Sequence, residues 1–272
     1  MKTGNPYRPI GVFDSGVGGL TVCRKIWETL PSESIVYLGD TARVPYGSKS
    51  ASTVIRYALT CANLLVNRNI KLLVVACNTA TAFALETLQE QLQVPVVGVI
   101  VPGARAACKH SKSGRIGVIG TRGVINSGVY VKTIQEIRPD AKVYSAACPL
   151  FVPFAEEGWT EGDVIETVAR TYLSDLLGKG IDTLVLGCTH YPLLREVIAE
   201  TAGESVRLVD SAEETAFAVT QKIEQENLRV PDHTRGNHIF LVSDDPKNFA
   251  QTGARFLGYS LEQVEWVDVC DG

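Results

Sequence analysis

The chain has 272 residues, 45% hydrophobic and 21% charged, and its 26 basic and 30 acidic side chains leave a formal net charge of −4. That length supports one large domain or two medium ones with ample core, and that composition excludes a disordered chain. Mild acidity without a Lys/Arg block argues against nucleic acid as a partner. No apolar run reaches the length of a secretory leader or a membrane span, so a cytoplasmic protein with no membrane contact is expected.

In chain order, apolar runs rich in Val, Ile and Leu predict strands at 10–14 (IGVFD), 35–40, 71–77, 95–100 and 115–120 (RIGVIG). Five more follow at 142–147, 182–188, 206–210, 238–244 and 264–269. Such continuous runs mark strands buried on both faces, as in parallel sheets. Amphipathic stretches lie between them, such as 50–67, where Val54, Ala58, Cys61, Leu65 and Val66 share one stripe. The alternation predicts an α/β architecture.

A weak internal repeat organises these elements. IGVFDSGVGG at 10 resembles IGVIGTRGVI at 116, and VYLGDT at 36 resembles VYSAAC at 143. LLVVACNTA at 72 matches TLVLGCTHY at 183, and VVGVI at 96 answers VRLVD at 206. Four strands recur in one order at a near-constant offset, which predicts two pseudo-symmetric α/β domains with mainly parallel sheets and an active site in the cleft between them. The expected division is 1–99 with 211–272 for the first domain, which is then discontinuous, and 100–210 for the second.

Cysteines occur at 23, 61, 77, 108, 148, 188 and 270, an odd number at wide spacings. They form no CxxC pair, zinc-ligand spacing or disulfide framework, so reduced thiols and no metal are expected. Cys23, Cys61 and Cys108 fall on helical apolar stripes and read as core, Cys148 ends a strand and also reads as structural, and Cys270 reads as an exposed tail thiol. Cys77 and Cys188 differ. Each ends a strand in a polar loop, and the two match across the repeat.

Ligands of parallel sheets bind beyond the carboxyl ends of the strands. FDSGVGG, GDTARVPYG, ACNTAT, GTRG and GCTHYP all lie there. Two such units face to face would bring Cys77 and Cys188 to one cavity, an arrangement suited to reversible proton transfer at a stereocentre. A thiol ordinarily ionises near pH 8.5, and a helix N-terminus or nearby charge can lower that value. Both cysteines are expected just before helix starts, whose free amides could also hold a carboxylate. Asp14 and His190 are the candidate partners that manage the two protons. Asp14-Ser15 could equally cap a following helix. SGVGG lacks the P-loop lysine and does not fit GxGxxG, so it does not read as a nucleotide loop.

Together FDSGVGGLTV, GDTARVPYGSKS, ACNTATA, GTRGVINSGVY and LGCTHYPLL resemble the glutamate racemases over residues 10 to 216. The resemblance implies a two-base reaction on glutamate without cofactor or metal, supplying D-glutamate for peptidoglycan precursors. Cys77 would take the α-proton of D-glutamate and Cys188 that of L-glutamate, assisted by Asp14 and His190. Asp14, Ser15, Tyr46, Gly47 and Asn78 would line the substrate pocket, as would Thr79, Thr121, Thr189 and His190. Asp40 matches a second family acid, and a family glutamate within FVPFAEEG is placed at Glu157 in preference to Glu156. A homodimer is implied by the same analogy. With Arg122, Arg43 is the only arginine in these loops, so neutral donors and backbone amides are expected to hold the substrate's side chain. Two other readings remain open: a hydrolase or lyase using Cys188 and His190 as nucleophile and base on a small dicarboxylate, and a non-catalytic two-lobed binding protein.

Overall fold

The computed structural model describes residues 5–231, 233 and 235–269. The first half runs β1 (Ile10–Asp14), α1 (Leu20–Thr29), β2 (Ile35–Gly39), α2 (Ala51–Asn67), β3 (Leu72–Val75), α3 (Asn78–Gln91), β4 (Val96–Gly98) and α4 (Ile100–His110). The second runs β5 (Arg115–Gly120), α5 (Arg122–Ser127), α6 (Val129–Ile137), β6 (Lys142–Ala147), α7 (Phe151–Glu157), α8 (Asp163–Gly178), β7 (Thr183–Gly187), α9 (Arg195–Ala202) and β8 (Arg207–Asp210). The chain then adds α10 (Ala212–Gln225), β9 (His238–Val242), α11 (Pro246–Leu257) and β10 (Val264–Trp266).

Every strand pairing is parallel. One sheet has the order β10-β9-β2-β1-β3-β4 and the other β6-β5-β7-β8. The run β2-β1-β3-β4 has the same order as β6-β5-β7-β8, so the sequence repeat is a repeat of topology, with Cys77 after β3 and Cys188 after the equivalent β7. β9 extends the first sheet by pairing with β2, from Ile35↔His238 to Gly39↔Val242.

All ten predicted strands form, six of them (β2, β3, β4, β7, β9 and β10) ending earlier than their apolar runs. β3 stops at Val75 rather than 77, because Cys77 turns out to begin α3 as its N-cap. β10 stops at Trp266 rather than 269, the last position matched to β9. The central strands β1, β2, β3 and β7 are buried at every residue, as their lack of polar alternation requires. β6 lies at an edge and is partly exposed along its length.

Local capping explains where helices begin. Ser50 Oγ accepts from Thr53 N at 3.3 Å to start α2, and Thr121 Oγ1 accepts from Val124 N at 3.3 Å to start α5. One apolar cluster runs from Val12 and Tyr37 of the first sheet through Ile119 and Leu186 of the second to Phe249 of α11, so the two lobes share core where they meet. Cys23 and Cys61 are buried in helices and Cys108 is half-buried, while Cys270 lies outside the described residues. No helix among the described residues is long and apolar enough to cross a membrane.

Candidate active site

The carboxyl ends of both sheets open on one cavity of about 380 Å³ between the lobes. Ser15, Tyr46, Gly47, Cys77, Asn78 and Thr79 line it from the first lobe, and Thr121, Cys188, Thr189 and His190 from the second. Of the residues expected in the pocket, Asp14 alone is not part of the wall. It is fully buried behind Ser15, with Oδ2 accepting from Gly16 N at 2.9 Å and Oδ1 without a hydrogen-bond partner among the described residues. Burial raises its carboxyl pKa above the ordinary value, against the charge of His190 and the amides of Gly16 and Gly19.

The two thiols sit in different surroundings. Cys77 is the N-cap of α3: its Sγ accepts from Ala80 N at 3.4 Å and lies 3.4 Å from Ser15 Oγ. Burial, reinforced by the nearby Asp14 carboxyl, pushes its pKa up to about 12 in spite of those two contacts. Cys188 does not precede a helix directly, contrary to expectation. A 3-10 turn at Tyr191–Leu194 intervenes, and α9 starts only at Arg195. The amides that would extend a helix back to Cys188 are committed locally, Tyr191 N to Cys188 O and Leu193 N to His190 O, each at 3.2 Å.

What stands beside Cys188 instead is His190, with Nδ1 at 3.8 Å from Sγ and Nε2 at 2.8 Å from Glu156 Oε1. Burial opposes protonation of this imidazole, but the hydrogen bonds to Cys188 and Glu156 outweigh it and raise its pKa to about 10. Its partners thus favour the charged form of the ring beside the Cys188 sulfur, while burial favours the thiol form of Cys77.

The sequence-based preference for Glu157 is overturned here. Glu156 lines the cavity and meets His190, whereas Glu157 faces a separate surface pocket with Asp244, Asp245 and Arg255. Adjacent helical residues differ in direction by about 100°, and α7 has only seven residues through which to fix its phase.

Close approach of the lobes sets the geometry. A β-carbon at Gly18 would lie 2.3 Å from Thr189 Oγ1 and 2.5 Å from His190 Nδ1, so only glycine lets the first-lobe loop seat against the Cys188 loop. Thr21 Oγ1 spans the same junction, reaching Gly18 O at 2.9 Å and Thr189 O at 3.3 Å. On the other side, Thr79 Oγ1 and Thr121 Oγ1 meet at 3.0 Å.

Asp40 and Arg43 are not in the cavity. Asp40 is fully buried and accepts from Tyr46 OH, from Arg43 Nε at 2.7 Å and from Ser243 Oγ at 3.0 Å. It is therefore a structural hub that ties the Tyr46 loop to the end of β9. The Arg43 guanidinium stacks 4.2 Å from the Tyr57 ring centre. Since its hydroxyl is committed to Asp40, Tyr46 offers the cavity its ring and the backbone of its turn. Among the cavity's described lining residues Arg122 is the single Lys or Arg, and it is exposed. Among the described residues no three His, Cys, Asp or Glu side chains group as metal ligands.

Two like lobes with one thiol each at a shared cavity give the architecture expected of a racemase. The family model described as Asp/Glu/Hydantoin racemase matches residues 10–219, and the chain belongs to that family. It is 58% identical over 264 residues to a glutamate racemase of Geobacter metallireducens, covering 97% of this chain and 98% of that one. Among solved structures, a glutamate racemase isoform of Bacillus anthracis superposes with a TM-score of 0.93 at 42% identity, over 97% of this chain and 98% of that one. The Francisella tularensis glutamate racemase in complex with D-glutamate superposes with a TM-score of 0.91 at 37% identity and the same coverage.

Proposed function

We propose that this racemase interconverts L- and D-glutamate, with Cys77 and Cys188 as the two bases acting on opposite faces of Cα. The single observation that carries the mechanism is that both thiols line one cavity from different lobes at equivalent positions of a repeated fold. Cys77 takes the α-proton of D-glutamate and Cys188 that of L-glutamate, while the opposite thiol supplies the incoming proton.

The unequal environments support this reading. A two-base step needs one sulfur deprotonated and the other protonated at the start, and burial beside Asp14 favours Cys77 as a thiol, the state from which turnover of L-glutamate begins. Asp14 accompanies Cys77, and the His190–Glu156 pair accompanies Cys188. Asn78, Thr79, Thr121 and Thr189, with the amides at the start of α3 and of the Tyr46 turn, hold the carboxylates. Ser15 and Gly47 complete the contact surface.

The domain division 1–99 with 211–272 against 100–210 follows the two sheets, and the lobes meet on the substrate. The physiological reading is D-glutamate supply for peptidoglycan in the cytoplasm, by a homodimer that binds no nucleic acid. Light scattering of the purified chain tests the dimer.

A rival reading draws on the Cys188···His190–Glu156 line, which also suits a nucleophilic cysteine. It leaves the mirrored thiol of Cys77 without a purpose. A chiral assay on L- and D-glutamate, with aspartate for comparison, tests the proposal. Interconversion without added cofactor, lost in both Cys77→Ala and Cys188→Ala, is expected. A trapped thioester with Cys77 dispensable would favour the rival.

A further inference from the structure

The GTRGVINSGVY segment runs nine residues beyond Thr121, and its last residue, Tyr130, lies outside the cavity wall. α5 ends and α6 begins at Gly128, whose φ of 67° lets the chain turn between two helices. The new direction carries Tyr130 back toward the first lobe. There its hydroxyl donates to Asn78 Oδ1 at 2.7 Å, a fully buried bond across 52 residues of sequence and between the two lobes. The ring packs over the end of β7, where a β-carbon at Gly187 would stand 3.1 Å from Tyr130 Cε2.

An asparagine amide can flip, exchanging its acceptor and donor ends at the same place in space. Burial keeps the phenol protonated by raising its ionisation above the ordinary value, and among the described residues its O–H has no acceptor but Asn78 Oδ1, so a flipped amide would strand that buried O–H. A committed donor at Oδ1 leaves one amide orientation. In that orientation Asn78 is 3% exposed, lines the cavity, and has Nδ2 buried without a partner among the described residues. An unpaired buried N–H donor is destabilising unless something accepts from it, and the function proposed above supplies a carboxylate oxygen.

We infer that Tyr130 is a positioning residue for the racemase: by holding Asn78 Oδ1 it presents Nδ2 as a fixed donor to a substrate carboxylate. The inference rests on the glutamate-racemase reading and deepens it. A carboxylate offers only acceptors, so a flipped Asn78 would turn its own oxygen on the substrate and repel it. The fixed orientation therefore selects a group that presents an acceptor oxygen at this place over an ammonium group. It also makes the first lobe's grip on substrate depend on the second lobe being in position.

Steady-state kinetics on both glutamate enantiomers test this in Tyr130→Phe, Asn78→Ala and the double variant, with melting curves setting an assay temperature at which all are folded. Tyr130→Phe should raise KM about tenfold for both enantiomers and change kcat by less than about threefold, the signature of lost binding rather than lost chemistry. The double variant should match Asn78→Ala within about twofold, because Tyr130 acts through Asn78 and the effects cannot add. Replacing Tyr130 by 3-fluorotyrosine, which keeps both shape and donor, should keep the wild-type KM. An unchanged KM in Tyr130→Phe overturns the inference, as does an undiminished effect of that change in the Asn78→Ala background. Failure of the wild-type chain to racemise glutamate would instead sink the functional reading beneath it.

Discussion

Glu156 Oε1 stands 2.8 Å from His190 Nε2, and this contact fixes which end of the imidazole faces Cys188. A carboxylate accepting from Nε2–H favours the charged ring despite full burial, and in that form Nδ1 also carries a proton to donate toward sulfur. Replacing the charge while keeping the shape, Glu156→Gln, weakens a charge-assisted bond worth about 1.5–3 kcal/mol, which corresponds to about 10- to 100-fold in kcat/KM. Because the two enantiomers are equal in free energy, kcat/KM must fall equally in both directions. The alkaline limb of the pH–rate profile should move to lower pH, since His190 loses the partner that raises its pKa. An unshifted limb would contradict the pairing.

The same pair gives stability a pH dependence of known sign. His190 binds its proton more tightly folded, with a pKa of about 10, than unfolded, with its ordinary value of 6.5. Its contribution is therefore fully present below pH 6.5 and is lost as pH rises through 10. Melting temperature should fall across that window in the wild-type chain, and less steeply in His190→Asn. Equal slopes would show that His190 is not held as a cation.

Gly18→Ala tests the close contact between lobes. The added carbon would overlap Thr189 and His190 in the second lobe. Overpacking of this kind costs about 1–3 kcal/mol of stability, and a shift of His190 by about 1 Å is enough for a 100-fold loss of rate. Denaturant titration and kinetics together should show a modest loss of stability beside a large loss of activity. Wild-type activity in this variant would mean that the loop has room to move.

Far from the site, Lys71 and Glu33 form a buried ion pair at the amino ends of the first sheet's strands. Lys71 Nζ also donates to Leu228 O at 2.8 Å and to Pro6 O at 2.6 Å, while Glu33 Oε1 accepts from Val230 N at 3.1 Å. Lys71→Met strands a buried carboxylate and should cost about 3–5 kcal/mol in urea unfolding, with Lys71→Met/Glu33→Gln recovering part of it. The Michaelis constant should stay near wild type, since the cavity lies at the opposite, carboxyl ends of the strands. A stability change below about 1 kcal/mol would place the pair among weak, solvent-screened ones.

Much of this molecule is legible in its sequence, for identifiable reasons. Strands such as IGVFD and RIGVIG are uninterrupted apolar runs bounded by polar loops, so their positions follow from burial on both faces. Cys77 and Cys188 stand out because the repeat places them at equivalent strand ends. What escapes is whatever depends on contacts between distant segments or on helix phase. Glu156 meets His190 across 34 residues, and nothing in FAEE distinguishes it from its neighbour until α7 has a fixed rotation. Tyr130 reads as one more apolar position of an amphipathic helix until the second lobe is docked on the first. The delay of α9 beyond Cys188 depends on which amides bond locally, and spacing alone does not reveal that.

The central claim is that two sulfurs address opposite faces of one carbon, and racemisation of L-glutamate in D2O tests it most directly. With two bases, the proton removed from L-glutamate stays on Cys188 while the product receives a deuteron from Cys77. Early in the reaction, the D-glutamate formed should carry deuterium at Cα and the remaining L-glutamate should not. D-glutamate that retains the substrate's protium would show one group serving both faces, and would contradict the account.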